Sequence, residues 1–168
     1  PEVWLLGSSG QSAAWAGAHD LNYAYAQFFT GRQQVEIMNH YRAHLPEGSG
    51  RGSIHGGQTL SALCVSAAAT REEAREQALV AADARFSLRT GRPMRFRDPS
   101  TLDAAYRTEV ERYLERDTAI IVGTYDEVAQ ALSSFAENHG TEEVMLISYI
   151  DDVEVKNHQY AELAARLL

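Results

Sequence analysis

One cysteine, Cys64, is all the chain carries, so no disulfide can form within it and a reducing compartment suits it. Lysine is almost missing as well: Lys156 is the one lysine among 15 basic residues, and the arginines are scattered. With a net charge of −8, the chain lacks the positive footprint that nucleic-acid binding requires. No apolar stretch approaches the ~18 residues of a membrane span, so no membrane role is expected. The chain opens directly on a strand pattern with no leader-like segment, and a cytoplasmic location is the expectation.

What is present fits one compact domain over residues 1–168, large enough to hide roughly 70% of its unfolded surface. Val3-Trp4-Leu5-Leu6 is a short apolar run of the kind buried in parallel sheets, and Gly7 stops it. Residues 11–18 read as a helix and 23–29, rich in aromatics, as a second strand. A helix is expected over 31–45, ended by Pro46, then a glycine-rich loop over 47–57. Residues 59–69 read as a strand. Thr70 and Glu73 form a capping-box pattern ahead of a helix to about Leu88. A loop over 90–99 precedes a helix over 101–115. Ala119 to Gly123 is a fourth strand, and Thr124 with Glu127 a second capping box opening a helix to about Asn138. Residues 143–149 make a fifth strand candidate, and a final helix is expected from about Asn157. Strands alternating with helices predict an α/β fold with a parallel sheet, whose ligands gather at the carboxyl ends of the strands.

The segment Gly7-Ser8-Ser9-Gly10-Gln11-Ser12 joins the first strand to its helix. Its glycines permit a tight turn, its helix start offers unpaired amides and a positive dipole end, and three serines add hydroxyls. That chemistry suits a phosphate monoester. The plainer alternative is that Ser9 simply caps the helix. A nucleophile elbow would need its second glycine one position later than Gly10, and no Gly-Lys-Ser/Thr follows to make a P-loop. Six histidines invite a metal reading, and His40 and His44 stand one helical turn apart. No acidic residue sits between them in the zinc-protease manner, so no metal is expected. Asp151, Asp152 and Glu154 read as a surface acidic loop. Arg85, Arg89, Arg92, Arg95 and Arg97 read as a solvated loop or a subunit contact. Cys64, in an apolar run, reads as a buried inert thiol.

Several stretches carry a resemblance. Val3 to Ser9, then Ser12-Ala13, then Leu21 with Tyr23-Ala24-Tyr25-Ala26 are similar to the middle of luciferase-like flavin-dependent monooxygenases. The likeness continues at His40-Tyr41-Arg42, at Ala67 to Ala74, at Ile121 to Thr124 with Glu127-Val128, at Glu143-Val144-Met145, and at His158-Gln159-Tyr160 with Leu163-Ala164, in the family's own order. The resemblance implies the C-terminal half, about strands 5–8, of a (β/α)8 TIM barrel. It further implies FMN, reduced by a separate reductase, that reacts with O2 to oxygenate a small organic substrate. Its phosphate would lie on Ser8, Ser9 and Ser12, with Gly7 and Gly10 shaping the loop. Tyr25, Gln27 and Phe28, at a strand's end, become candidates for the substrate pocket, and no residue is singled out as catalytic. The chain departs from the family at Gln27, where histidine is common, at Tyr125, where proline is common, and over Gly48 to Gly57. An F420-dependent oxidoreductase or a non-catalytic flavin-binding or pairing module are the alternatives. The resemblance starts at the fifth strand, and the sequence opens on proline. The expectation is therefore a truncated or processed product, inactive alone, whose open faces are covered by a missing N-terminal half or by a second copy.

Overall fold

The computed structural model describes residues 2–30, 35–49, 56–141 and 143–168. Five strands alternate with helices: β1 (Trp4–Gly7), α1 (Gly10–Ala18), β2 (Asn22–Ala26), α2 (Gln27–Thr30), α3 (Val35–Ala43), β3 (Thr59–Ala68), α4 (Arg71–Arg89), α5 (Ala104–Leu114), β4 (Ile120–Thr124), α6 (Tyr125–His139), β5 (Glu143–Ile147) and α7 (Val153–Leu167). The strand order is β1-β2-β3-β4, with β5 also on β3, and the β1–β2, β2–β3 and β3–β4 pairs are parallel. No helix among the described residues is long and apolar enough to cross a membrane. Contacts group the chain into two compact units, Pro1–Leu63 with Leu132–Leu146, and Cys64–Ala131 with Ile147–Leu168.

The first unit is organised by the pleat of β2. Register places Leu5, Tyr23 and Thr59 side by side, and Gly7, Tyr25 and Ser61 two residues on, so these share one face of the sheet. Helices cover that face. The Tyr23 ring stacks on Tyr41 of α3, with centroids 5.4 Å apart, and Tyr25 stacks on His139 at the end of α6, at 6.1 Å. Tyr41 is fixed at its hydroxyl, which donates to the Leu21 carbonyl at 2.8 Å and accepts from the Gly57 amide at 2.9 Å. Leu6, on the opposite face, is largely exposed. Arg42 of α3 donates to the carbonyls of His139 and Gly140, at 2.6 and 2.5 Å, satisfying groups a helix end leaves unpaired.

His139 makes this unit pH-sensitive. It is buried against Phe135, whose carbonyl meets Nδ1 at 3.0 Å, and among the described residues Nε2 has no partner. Burial pushes the imidazole below its ordinary 6.5. The unfolded chain then binds a proton that the folded chain refuses, so stability holds above that value and falls as pH drops below it. Chemical denaturation between pH 8 and 5 is expected to show this decline, and His139→Gln to flatten it. An unchanged slope in the variant would assign the effect to other groups.

In the second unit, the distal half of β3 pairs with β4, α4 packs on β4, and α5 packs on α4, with Ala74, Ala78, Leu79, Ala82, Val110 and Leu114 buried. Cys64 lies here, buried as expected, and burial pushes its thiol up to about 12, so it is no nucleophile. The Ala67 amide donates to Gln159 Oε1 of α7 at 2.7 Å. The arginine run from 85 to 97 forms no basic stripe. Arg85 pairs with Asp117 at 2.5 Å and Arg97 with Asp83, while Arg89 and Arg92 lie over the Tyr113 and Tyr106 rings.

Several boundaries differ from the sequence reading, among them the end of the fifth strand, at Ile147 and not 149. The strand expected over 23–29 stops at Ala26, and Gln27–Thr30 turns helical. Residues 22–26 are wholly buried, whereas Phe29 is 64% exposed, so the sheet's cover ends there. The acidic stretch 151–154 is no free loop. Asp152 caps α7 by accepting from the Glu154 and Val155 amides at 2.9 and 3.1 Å, which starts that helix at Val153 rather than near 157. The helix expected from Thr101 begins at Ala104, capped by Asp103, after a 3-10 turn over Pro99–Thr101. The glycine-rich loop, the first turn of the helix expected from Gly31, and His55 fall partly or wholly outside the described residues.

Candidate functional site at the first strand–helix turn

Ser9 is both the hinge and the cap of the turn after β1. Its backbone is extended (φ −130°, ψ 155°), and its Oγ accepts from the Ser12 amide at 3.2 Å. Ser12 answers by accepting from the Ser9 amide at 3.3 Å, completing a capping box in which serine replaces the usual Glu or Gln. The Ser12 hydroxyl hydrogen goes to the Ser9 carbonyl at 2.8 Å, and Tyr23 Oη stands 3.2 Å from Ser12 Oγ. Gly7 is required beneath this arrangement. A Cβ there would lie 2.2 Å from Ser12 Oγ and 3.3 Å from Tyr23 Oη.

The cap and an anion site share the same atoms. Ser12 is committed inward, to Ser9 and Tyr23. Ser9 uses its oxygen as an acceptor, and its own hydrogen can point to Ser12 Oγ at 3.1 Å or outward, since Ser9 is exposed. Gly10 and Gln11 occupy the first two positions of α1, whose amides have no acceptor inside the helix. Ser8 and Gln11 are reachable from solvent. The donors within reach of solvent are therefore two amides and the Ser8 hydroxyl, with the Ser9 hydroxyl added when its hydrogen turns from Ser12, at the positive end of a nine-residue helix.

Two neighbours of this turn were not legible in the sequence. Tyr23 reaches Ser12 because residues two apart on β2 share a face, so Tyr23 and Tyr25 both point toward helices. His40 of α3 packs against Gly10, where a Cβ would meet its Cδ2 at 3.1 Å. His40 and His44 do not converge on a metal: His44 Nδ1 bonds the His40 carbonyl at 2.8 Å, and the described residues hold no group of three or more metal-ligating side chains. Of the pocket candidates, Tyr25 is fully buried under α6, Gln27 is fully buried at the start of α2, and Phe28 is half-buried beside it.

No family model matches the sequence. An N-acetyl-S-alkylcysteine monooxygenase of Bacillus subtilis (strain 168) is 28% identical over 172 residues, covering all of this chain and 50% of that protein. The crystal structure of apo-MsnO8 superposes with a TM-score of 0.78 at 26% identity, over 99% of this chain and 51% of that one. The relatives of this chain are luciferase-like monooxygenases. Its parallel sheet with alternating helices matches part of the barrel of these proteins, and the chain spans about half the length of the relatives it matches. The barrel fold also matches the oxygenating constituent of 3,6-diketocamphane monooxygenase from the CAM plasmid of Pseudomonas putida, solved with FMN, at a TM-score of 0.58 and 18% identity over 100% of this chain and 49% of that one.

Gly7 has a testable role in this turn. Gly7→Ala puts a Cβ 2.2 Å from Ser12 Oγ and 2.6 Å from Ser12 Cβ, so residue 12 itself must shift and both halves of the capping box are lost. A loss of about 1–2 kcal/mol is expected in denaturant titration. Ser12→Ala alone should cost less, because Ser9 keeps its bond to the residue 12 amide. Equal stability of wild type and Gly7→Ala would show that the turn rearranges freely.

Proposed function

We propose that this chain is the flavin-phosphate-anchoring part of an FMN-dependent monooxygenase that oxygenates a small organic substrate with O2. The observation that carries the reading is the solvent-accessible start of α1, where the Gly10 and Gln11 amides have no acceptor inside the helix and the Ser8 and Ser9 hydroxyls stand beside them at the end of a parallel strand. Four donors on a helix dipole suit a phosphate dianion, and no carboxylate lies within residues 7–12 to oppose it. When bound, reduced flavin supplies the oxygen chemistry. The residues of this chain hold and orient: Ser12 and Tyr23 brace Ser9 from behind, and Gly7 leaves room for that brace. Gln27 and Phe28, which follow β2 at its carboxyl end, would border the substrate region, while Tyr25 supports β2 from the helix side. Reduced FMN would come from a separate reductase in the cytoplasm. The remaining barrel strands would come from an N-terminal half or from a second copy of the chain.

Binding of FMN and of riboflavin, followed by flavin fluorescence, tests the anchor. FMN is expected to bind about 100-fold more tightly than riboflavin, which lacks the phosphate, with Ser8→Ala/Ser9→Ala removing about tenfold or more of that advantage. Equal affinities would remove the phosphate role. A parallel titration with F420 decides between the two cofactors. Oxygen consumption with reduced FMN then separates a monooxygenase from a flavin-binding module, which would retain FMN without turnover.

A further inference from the structure

The second unit holds a cavity of 370 Å³ that the flavin reading does not use. It opens where residues 96–99 cross α4 and meet the turn 149–152 ahead of α7. Its volume is that of a small-molecule site. One wall is aromatic. The Phe96 ring stacks on Tyr149 with centroids 5.1 Å apart and planes 14° from parallel, yet Phe96 remains more than half exposed. Val80 and Ile150 add aliphatic surface.

Several of the side chains lining it offer acceptors. Gln77 Oε1 is buried and has no partner among the described residues, while its Nε2 is turned toward Glu73 Oε1 at 3.5 Å. A buried carbonyl left without a donor is costly, and a ligand N–H would recover that cost. The charges at the rim are equally one-sided. Arg97, the one base lining the cavity, is bidentate to the Asp83 carboxylate at 2.8 and 2.5 Å, and Glu76 is matched by Arg107. Asp98, Asp151 and Asp152 remain. Asp98 and Asp152 cap helical turns through backbone amides, and no cation pairs with any of the three among the described residues.

We infer that this cavity binds a small organic cation, an ammonium group carried on an apolar or aromatic body. The body would lie on the Phe96–Tyr149 wall, where a cation also gains from ring faces. The ammonium hydrogens would answer Gln77 Oε1 and the aspartates. The Arg97–Asp83 pair then serves as the latch that holds Phe96 in place.

The test is titration of the protein with 2-phenylethylammonium, followed by amide NMR, with 3-phenylpropionate as an anion of similar size. Saturable shifts are expected for the ammonium at residues 77, 80, 96–98 and 149–152, and none for the acid. In the triple variant Asp98→Asn, Asp151→Asn, Asp152→Asn, asparagine keeps the caps but removes the charge. Its affinity should fall about tenfold or more at an unchanged melting temperature. Gln77→Met, which keeps the volume without the acceptor, should weaken binding independently. Equal binding of the acid, shifts centred elsewhere, unaltered affinity in both variants, or no saturation by ~10 mM would overturn the inference.

Discussion

Gly17→Ala is expected to destabilise the first unit by about 3 kcal/mol, against the direction of helix propensity. Alanine is the better helix former by about 1 kcal/mol, so an exposed Gly17 would gain from the change. Here α1 lies directly on α3. A Cβ on Gly17 would stand 2.5 Å from the Tyr41 carbonyl oxygen, 3.0 Å from His44 Cβ and 3.2 Å from the His44 carbonyl carbon. Backbone cannot swing away as a side-chain tip can. Tyr41 is also held at its far end, by Leu21 and Gly57, so α3 cannot retreat without losing those bonds. Urea denaturation measures the effect, and near-ultraviolet dichroism of the Tyr23–Tyr41 stack should report the separation of the helices. A variant as stable as the parent would mean that α1 and α3 slide apart at no cost. Serine at 17 should behave like alanine, since the clash is with Cβ.

Arg97→Ala should rank next, at about 3 kcal/mol. Asp83 is fully buried on α4, and its carboxylate is held by the Arg97 fork and by the Tyr106 hydroxyl at 2.8 Å, with Ser87 Oγ bonded to Tyr106 in turn at 3.1 Å. Removing the arginine leaves a buried charge with one neutral donor. The pair itself is not a large source of stability, because Arg97 is partly solvated and both groups lose hydration. The double variant Arg97→Ala/Asp83→Asn is therefore expected to recover much of the loss. Thermal denaturation of the four proteins in the cycle measures this coupling. Additive losses would show that Arg97 acts through packing on Tyr106, whose ring lies 4.9 Å from its guanidinium carbon, and not through charge.

Local chemistry was legible from the sequence wherever it was complete within a few residues. Thr124 and Glu127 form the capping box their spacing suggests, with the Thr124 amide donating to the Glu127 carboxylate at 2.9 Å and the Glu127 amide to Thr124 Oγ1 at 3.3 Å. Thr70 caps α4 as expected, but Glu73 does not close the box. Its carboxylate accepts from Gln77 instead. The serine turn was legible as a helix start with donors. What could not be read was the division of labour, in which Ser12 is spent on bracing, Ser9 caps the helix, and Ser8 stays accessible to solvent. That division depends on Tyr23, eleven residues away, and on the room Gly7 leaves.

The order of strands and helices, the helix caps, the buried thiol and the family likeness all follow from the order of residues, because each rests on patterns spanning one element and its neighbours. Tertiary structure alone decided which face of β2 meets helices, where its strand ends, how the arginines after α4 are divided among carboxylates and rings, and that a cavity with unmatched acceptors lies beside Phe96. Those outcomes depend on side chains distant in sequence meeting at fixed distances, and hydrophobic periodicity carries no information about such meetings.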